Sequence, residues 1–258
     1  MKLGGSVITD KSEELSLNRD ALNRLAKELK SVESPLIVIH GGGSFGHPLA
    51  SRYGINSGFE NKSQLSGFAL THWAMEALNF EVTSALRNVG LPAVSIQTSA
   101  CTITKNGRIE SMEIKPIKKM LEIGLIPVLY GDSVMDSVDG MKILSGDQLA
   151  VFLAEKLGVD RVILGVDTDG VYKGDPKQDD EAELIPEITM KNWPKISESI
   201  ESASGVDVTG GMKRKIEELM ELPKIGIEAQ IINASKPEVL EKAIKGDKSL
   251  GTRILKGE

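Results

Sequence analysis

The feature that most constrains the fold is a glycine-rich stretch directly after a short β-branched run. Residues 35–39 predict a buried strand, and His40-Gly-Gly-Gly-Ser-Phe-Gly-His47 follows at once. The glycines thus stand where a strand ends and a helix begins. Without Cβ atoms, they let backbone N–H groups turn toward an anion, and a helix N-terminus adds partial positive charge. We predict a phosphate-binding loop, with His47 as a side-chain donor.

Two other interpretations of these residues stay open. Gly41, Gly43 and Gly46 also satisfy the G-x-G-x-x-G pattern of dinucleotide-binding folds, which needs a second strand ending in an acidic residue roughly 20 positions on. Glu60 lies near that distance, but the polar segment 52–64 predicts no strand. The stretch could also be a tight turn without a ligand, although three consecutive glycines cost more chain entropy than a turn requires.

Composition narrows the class of protein. A chain of 258 residues can form one large α/β domain or two joined lobes, and a net charge of −6 argues against a nucleic-acid partner. A single cysteine, Cys101, and three histidines leave no internal disulfide and no zinc cluster. We predict Cys101 to be a small buried strand residue. No membrane span or signal peptide is evident, so we expect a cytoplasmic enzyme.

Strand and helix patterns alternate along the chain. Helices are predicted at 18–32, 65–89, 114–123, 149–157 and 236–245, and strands at 1–8, 92–96, 125–129, 159–164, 229–233 and 252–255. Hairpins are predicted at Asn106-Gly107 and Asp139-Gly140. This alternation predicts an α/β fold with a largely parallel sheet and helices on both faces.

The apolar stripe of the 65–89 helix has two interpretations. Its spacing (Phe68, Thr71, Met75, Leu78, Val82, Leu86, Val89) is typical of core packing. The stripe could also line a pocket for an apolar substrate, because Phe68, Trp73, Met75 and Phe80 supply bulky side chains within a short span.

Several charged residues adjoin glycines. Lys2 stands just before a glycine pair, where it could be a solvated surface residue, and Lys11 follows the same segment. Asp147 falls in the first turn of a helix with capping-box spacing, where it could merely complement the helix dipole. Lys213-Arg-Lys215 follows Gly210-Gly211 at a predicted helix start. Basic groups there oppose the helix dipole, so an anion held nearby would remove the conflict.

A loop rich in turn residues, 165–177, follows the strand at 159–164. Loops at the carboxyl ends of strands in open parallel sheets carry ligands. A calcium loop is excluded because Val171 stands where a third acidic ligand would be needed.

Taken together, six ordered motifs resemble the amino acid kinase family. They are Lys2-Leu-Gly-Gly-Ser6, His40–His47, Tyr130-Gly-Asp132, Ser145-Gly-Asp147, Val166-Asp-Thr-Asp-Gly-Val-Tyr172 and Asp207-Val-Thr-Gly-Gly-Met212. The resemblance covers nearly the whole chain and implies a three-layer αβα sandwich with a central, mainly parallel sheet. Only Met1 precedes Lys2, so the first strand looks clipped beside the family's. Within the family, His47 and the segment Ser6–Lys11 resemble the members that phosphorylate isopentenyl phosphate.

The resemblance implies transfer of the ATP γ-phosphoryl group to a monophosphate. ATP phosphates are expected on Lys2, Gly4, Gly5, Ser6, Gly43 and Lys215, and the nucleoside near Asp167, Tyr172, Pro176, Gly210 and Gly211. The acceptor phosphate is expected on Gly42, His47 and Gly131, and its tail near Phe68, Thr71 and Met75. Lys11 would stabilise the transferring group, and Asp147 would hold the lysines by ion pairing. Loose phosphoryl-transfer transition states need such positioning and cations and no protein nucleophile.

Further implications concern cofactor, assembly and organisation. Mg²⁺ would arrive with ATP without a dedicated protein cage, and a homodimer is expected. Residues 1–258 would form one domain, with a phosphate-acceptor lobe at about 1–157 and a nucleotide lobe at about 158–258. Two alternatives remain. One is a kinase of another small acid, such as fosfomycin, acetylglutamate or a nucleoside monophosphate, and the other is a non-catalytic nucleotide-binding protein.

Overall fold

The computed structural model describes residues 1–174, 176, 179, 181–202 and 210–257. The chain divides into two compact units, Met1–Ala150 and Val151–Glu258. The division falls inside the helix that the sequence analysis placed at the end of the first lobe. Assignment of the acceptor to one lobe and the nucleotide to the other stays a prediction.

The first unit contains a parallel sheet in the order β1-β2-β6-β3. Its strands are β1 (Lys2–Leu3), β2 (Val38–His40), β3 (Ala93–Ser95) and β6 (Ile126–Tyr130). All five residues of β6 are buried, as expected of a central strand in a parallel sheet. The two residues of β1 pair with Ile39 and His40, so the strand is short but fully part of the sheet.

Six helices lie wholly within this unit, and a seventh begins in it. They are α1 (Gly5–Ile8), α2 (Arg19–Leu29), α3 (Gly43–Arg52), α4 (Ser63–Asn88), α5 (Thr98–Cys101), α6 (Lys115–Glu122) and α7 (Gly146–Leu157). The predicted stripe of α4 packs in the core, since Met75, Leu78, Val82 and Leu86 are buried. Each such side chain contributes about 1.5–3 kcal/mol of burial free energy.

A second sheet of the first unit is built from the two predicted hairpins, in the order β5-β4-β7-β8. Its strands are β4 (Thr102–Lys105), β5 (Arg108–Met112), β7 (Asp132–Asp136) and β8 (Gly140–Leu144). Strands β4 and β7 run parallel, and each hairpin is antiparallel. Both hairpin predictions are therefore confirmed.

The second unit has its own strands and core. Its strands are β9 (Arg161–Val166), β10 (Val171–Tyr172), β11 (Leu184–Ile185), β12 (Glu187–Thr189), β13 (Glu228–Asn233) and β14 (Thr252–Leu255). Four of these strands pair in the order β12-β14-β13-β9, and within that described order only the β13–β14 pair is antiparallel. Strands β10 and β11 form a separate antiparallel pair. Its helices are α8 (Trp193–Ser202), α9 (Gly210–Leu219) and α10 (Val239–Ile244), and the core centres on Leu164, Ile216 and Ile231.

Two local predictions were wrong. Val7 and Ile8 lie in α1 rather than in a strand, because the amides of Val7 and Thr9 bond back to Gly4 and Gly5 and close a helical turn. Cys101 ends α5 and is half-buried, with β4 starting one residue later. Burial raises the pKa of the Cys101 thiol, which favours the uncharged, unreactive form.

Glu60 follows no strand. The segment before it, Ile55–Ser57, is a single 3-10 turn, and Glu60 lies in the connection that leads to α4. The strand-end acidic residue that a dinucleotide site requires is therefore missing at this position. Among the described residues, no helix combines the length and the apolar character needed to cross a membrane.

Candidate active site

Two glycine loops of the first unit touch backbone to backbone. Gly5 follows β1 and Gly43 follows β2, and because these strands are parallel neighbours their carboxyl ends meet at one edge. A Cβ atom on Gly5 would lie 2.2 Å from the Gly43 nitrogen, and one on Gly41 would lie 2.9 Å from the Gly5 nitrogen. Gly43 also has φ +49°, a conformation that favours glycine. No larger residue fits these positions, so the glycines keep two sets of backbone amides together.

Thr9 bonds the two loops to each other. Its Oγ1 donates to the Gly5 carbonyl (2.7 Å) and accepts from the Ser44 amide (3.0 Å). Thr9 is buried, and sequence reasoning assigned it no role. Its hydroxyl fixes the spacing between the loops, a function that no motif in the sequence signals.

The predicted ion pair between Lys2 and Asp147 is present. Lys2 Nζ lies 2.7 Å from Asp147 Oδ1, and the two side chains are only 4% and 12% exposed. Asp147 lies in the first turn of α7, whose start is capped by Ser145 Oγ accepting from the Gln148 amide. Lys2 is therefore a buried cation held by a carboxylate, and the solvated-surface interpretation of Lys2 is wrong.

Gly131 lies at the same strand edge. Its amide donates to the His40 carbonyl (3.1 Å), and a Cβ on Gly131 would lie 2.9 Å from the Gly146 nitrogen. A Cβ on Gly146 would in turn lie 3.6 Å from Lys2 Cε. Gly131 is thus brought to the loop that carries Asp147, while Gly42 opens the helix that follows β2.

Lys11 and His47 are both exposed. Lys11 is carried by a turn that is fixed to the start of α3: the Leu15 amide donates to the Ser44 carbonyl, and Ser44 Oγ donates to the Ser16 carbonyl. His47 lies in the second turn of α3, on the element that Gly43 begins. Ser6, in α1, is half-buried. The roles of these three side chains stay predictions.

Met75 packs directly on the glycine-rich loop. Its Sδ would lie 3.1 Å from a Cβ on Gly42 and 2.8 Å from one on Gly46. Thr71, one turn earlier on α4, is buried, and its hydroxyl has no hydrogen-bond partner among the described residues. Phe68 is half-buried.

Trp73 and Phe80 do not belong to this set. They are 54% and 64% exposed, and on a helix of 100° per residue they point away from Met75. The sequence hypothesis of one pocket lined by Phe68, Trp73, Met75 and Phe80 is therefore wrong for two of its four members. Aromatic content alone did not reveal the face on which each side chain lies.

His40 is fully buried beneath the loop. It stacks on Tyr130 with ring centroids 5.4 Å apart, and its Nε2 lies 3.2 Å from Asn79 Oδ1. Desolvation lowers the pKa of His40 to about 4, so the ring is neutral at physiological pH. Burial also raises the pKa of Tyr130. These aromatic groups support the loop without adding charge.

A second pair was not predicted and lies next to Gly131. His72 Nδ1 on α4 is 3.1 Å from both carboxylate oxygens of Asp132, the first residue of β7. Asp132 was quoted in the Tyr130-Gly-Asp132 motif but was given no partner. The sequence spacing of 60 residues between them gives no sign of contact.

In the second unit, the predicted nucleoside loop follows β9. Asp167 and Tyr172 are half-buried, and Asp169 between them accepts from Asn233 Nδ2 (2.9 Å) and pairs with Lys236 (2.6 Å). The Lys236 hydrogen bond lowers the pKa of Asp169. Asn233 ends β13, the parallel neighbour of β9, so this contact joins two strand ends.

The remaining predicted nucleotide residues lie further along this unit. Gly210 and Gly211 begin α9, and Lys215 Nζ on the next turn is 3.4 Å from the Gly211 carbonyl. Pro176 is half-buried. Residues 207–209 of the last motif lie outside the described residues.

Comparison with known proteins shows the family to which the chain belongs. The amino acid kinase family matches residues 1–233. The chain therefore belongs to the amino acid kinase family, a class of α/β proteins with a mainly parallel sheet, as predicted.

Within that family, several relatives that match nearly the whole chain are isopentenyl phosphate kinases. The chain is 45% identical to isopentenyl phosphate kinase of Methanothermobacter thermautotrophicus, over 98% of this chain and 97% of the relative. It is 34% identical to that of Methanocaldococcus jannaschii (98% and 97%) and 32% identical to that of Arabidopsis thaliana (92% and 74%).

Solved structures give the same result. One from a study of isopentenyl phosphate kinase has a TM-score of 0.85 at 42% identity, covering 98% of both chains. The product complex of Thermoplasma acidophilum isopentenyl phosphate kinase has a TM-score of 0.77 at 30% identity, covering 98% of this chain and 97% of that one. A carbamate kinase from Giardia lamblia, at 15% identity and a TM-score of 0.72, shares the fold.

Proposed function

We propose that this protein transfers the γ-phosphoryl group of ATP to isopentenyl phosphate, giving ADP and isopentenyl diphosphate. The observation that carries the proposal is the 45% identity, over nearly the whole chain, to an isopentenyl phosphate kinase. The buried Lys2–Asp147 pair at the edge where the glycine loops meet supplies the cation that such a reaction needs.

On the donor side, the proposed contacts are backbone amides and lysines. Gly4, Gly5, Ser6 and Gly43 offer N–H groups to the ATP phosphates, and Lys2 and Lys215 offer ammonium groups. The nucleoside is assigned to the second unit, near Asp167, Tyr172, Pro176, Gly210 and Gly211. The Asp169–Asn233 and Asp169–Lys236 contacts support this assignment because they hold the Asp167–Tyr172 loop in one conformation.

On the acceptor side, Gly42, Gly131 and His47 are proposed to bind the phosphate. Met75 packs against Gly42 and Gly46, so apolar surface adjoins the loop where the phosphate is assigned. We assign the isopentenyl tail to the surface around the half-buried Phe68, next to the buried Thr71 and Met75. Such a surface discriminates tail length by only about 1–3 kcal/mol per methylene, so dimethylallyl phosphate should also be accepted.

The chemistry is a direct in-line transfer without a protein nucleophile. Both reactants are anions, and a loose transition state spreads charge over the phosphoryl oxygens. Lys2, Lys11 and Lys215 are proposed to offset that charge. Mg²⁺ is proposed to bind the ATP phosphates and to keep several waters. The described residues contain no group of three metal-ligating side chains, and a phosphate-bound Mg²⁺ requires none.

An acceptor panel tests the proposal. Isopentenyl phosphate, dimethylallyl phosphate, fosfomycin, acetylglutamate and a nucleoside monophosphate are compared under one Mg-ATP assay by kcat/KM. We expect isopentenyl phosphate to have the highest value. A higher value for another acid would reassign the substrate, and nucleotide binding without turnover across the panel would indicate a non-catalytic protein.

His47 offers a single-residue test of the acceptor site. His47→Ala should remove most activity with isopentenyl phosphate, by about 10²-fold in kcat/KM, because a charged hydrogen bond to the phosphate is lost. Steady-state kinetics with each substrate varied in turn measures the change. Full activity in this variant would remove His47 from the proposed site.

We also propose a homodimer and a cytoplasmic location. Leu70, Trp73 and Phe80 form one exposed apolar stripe on α4, which we name the outer stripe. Large apolar side chains exposed together on one helix face can mark an interaction site. A second copy of the chain is the proposed occupant, consistent with the symmetric assemblies common among soluble enzymes. The cytoplasm is proposed because the donor is ATP and the one cysteine needs no oxidising compartment.

A further inference from the structure

A buried carboxylate lies next to one of the proposed acceptor-binding residues. Asp132 follows Gly131 directly, and its side chain is 0% exposed. Its oxygens accept from His72 Nδ1 (3.1 Å to each) and from the Ser133 amide (2.8 Å). Two neutral or singly charged donors are a small number for a fully buried carboxylate, which carries a large desolvation penalty.

His72 is the cation closest to that carboxylate. Among the described residues, no lysine or arginine lies within salt-bridge distance of Asp132. The Asp132 charge raises the pKa of His40, but burial lowers this pKa by more, so His40 is neutral. Among the described residues, Asp132 therefore has an ion-pair partner only while His72 carries a proton.

The other groups around His72 are few. His72 Nε2 lies 2.7 Å from the side-chain amide of Gln97 and 3.5 Å from Glu76 Oε1 on the same helix. The Gln97 amide can donate through Nε2 to a neutral ring or, with the amide turned over, accept through Oε1 from a protonated ring. Burial and the charges of Asp132 and Glu76 raise the pKa of Tyr130, which lies on β6, so Tyr130 is uncharged. Glu76 is half exposed, so water screens it far more than it screens Asp132.

We propose that His72 and Asp132 form a charge-compensating pair that sets the affinity for the acceptor phosphate. The inference rests on the proposed function. With His72 protonated, the pair is neutral, and a doubly charged phosphate can bind at Gly131. With His72 neutral, the buried negative charge of Asp132 lies one residue from Gly131, to which the anion is assigned, and weakens its binding. His72 is thus a positioning residue that acts through Asp132.

The direction of the pH dependence follows from the contacts. The hydrogen bond to Asp132, partly opposed by burial, raises the pKa of His72 above its ordinary value of 6.5. The second pKa of a phosphate monoester is about 6, so the acceptor is largely a dianion near neutral pH. The KM for isopentenyl phosphate should be lowest between these two titrations and should rise at higher pH as His72 loses its proton.

Four proteins separate charge compensation from a structural role: the wild type, His72→Gln, Asp132→Asn and the double variant. His72→Gln should raise the acceptor KM about tenfold at pH 7, the order expected for one partly screened unit charge, while kcat and the ATP KM change less than about twofold. The double variant should return the acceptor KM to within about threefold of wild type and lose the rise at high pH. Glu81→Gln removes a partly exposed carboxylate of the same helix that pairs with Arg19 rather than with His72, and it should change KM less than about twofold.

Either of two results would refute the proposed role of the pair. One is an unchanged acceptor KM in His72→Gln, and the other is an acceptor KM in the double variant that is no lower than in His72→Gln. Turnover by the wild type tests the proposed function itself, so the two failures are distinguishable.

A measurement on the wild type alone tests the pair even if the variants fail to fold. The chain has three histidines, so the His72 imidazole can be titrated by NMR with and without isopentenyl phosphate. Linkage requires saturating acceptor to raise the His72 pKa by about one unit, and no shift would refute the pair.

Discussion

At the residue scale, Lys2 is the side chain on which the proposed chemistry most depends. Lys2 is the second residue of the chain, yet its side chain is buried and paired with Asp147 in the first turn of α7. A cation held in a partly dry site interacts more strongly with developing negative charge than one in water. We therefore propose that the pair holds Lys2 where it can stabilise the transition state.

Lys2→Met should lower kcat by about 10²- to 10³-fold, because a preorganised cation is lost. It should also lower the free energy of unfolding by about 3 kcal/mol, since Asp147 loses its Lys2 partner in a buried position. The double variant Lys2→Met/Asp147→Asn should recover much of the stability and none of the activity. Urea denaturation and steady-state kinetics measure the two effects, and recovery of kcat in the double variant would contradict the assigned role.

Gly43 provides a second residue-scale test. Gly43→Ala would place a Cβ 2.0 Å from Thr9 Oγ1 and 2.7 Å from the Gly5 carbonyl, at a φ of +49°. We expect a loss of more than about 2 kcal/mol of stability together with loss of activity. Gly124→Ala is the matched control, because Gly124 has φ +85° but no atom within 4 Å of the added Cβ. Gly124→Ala should lower the free energy of unfolding by about 1 kcal/mol and leave kcat unchanged. Equal losses of stability and activity in both variants would refute the role of the contact between the two glycine loops.

At the element scale, Asp136 joins the two hairpins of the second sheet. Its carboxylate accepts from Thr104 Oγ1 and the Gly107 amide on one side, and from the Val138 and Asp139 amides on the other. Burial by itself raises the pKa of Asp136, but the hydrogen bonds from Asp139, Gly107 and Val138 outweigh burial and hold the pKa well below its ordinary value of 3.8. The charged carboxylate thus stabilises the sheet.

Asp136→Asn should lower the free energy of unfolding by about 2 kcal/mol at pH 7, because hydrogen bonds to a charged acceptor are replaced by weaker ones. A lowered folded-state pKa means that the stabilisation is complete above the unfolded value of 3.8 and is lost as pH falls toward the folded value. The difference between the wild type and the variant should therefore be constant from pH 7 to 5 and shrink below pH 4. Urea denaturation across this range measures it; a difference independent of pH would contradict this explanation.

Elements were easier to predict from sequence than contacts between them. Helix α4 was predicted within two residues at either end because its apolar spacing is regular, and both hairpins carried turn residues. Val7 and Ile8 were misassigned because closure of a tight turn overrode their β propensity. The His72–Asp132 and Thr9–Ser44 contacts join residues far apart in the chain, and no local pattern encodes such pairs.

At the scale of the whole molecule, a net charge of −6 coexists with a site assigned to two anions. The proposed roles of local cations, backbone amides and the His72–Asp132 pair would account for this combination. The outer stripe of α4 adds a second property, because three exposed apolar side chains on one helix face favour assembly.

The homodimer can be tested by reversing the character of the outer stripe. Trp73→Glu/Phe80→Glu should give a monomer, because like charges would face each other in the proposed interface. Size-exclusion chromatography with light scattering measures the mass. Ile123→Glu is the control, since Ile123 is 76% exposed outside α4 and its substitution should leave the dimer intact. A monomeric wild type, or a dimeric double variant, would refute this interface.

The most direct test of the central claim is a ³¹P NMR time course of the wild-type protein with Mg-ATP and isopentenyl phosphate. The account predicts that the γ-phosphate signal of ATP and the monophosphate signal decline together, while ADP and the two coupled signals of a diphosphate ester appear in equal amounts. Release of inorganic phosphate with the monophosphate signal unchanged, or no change in either reactant, would contradict it.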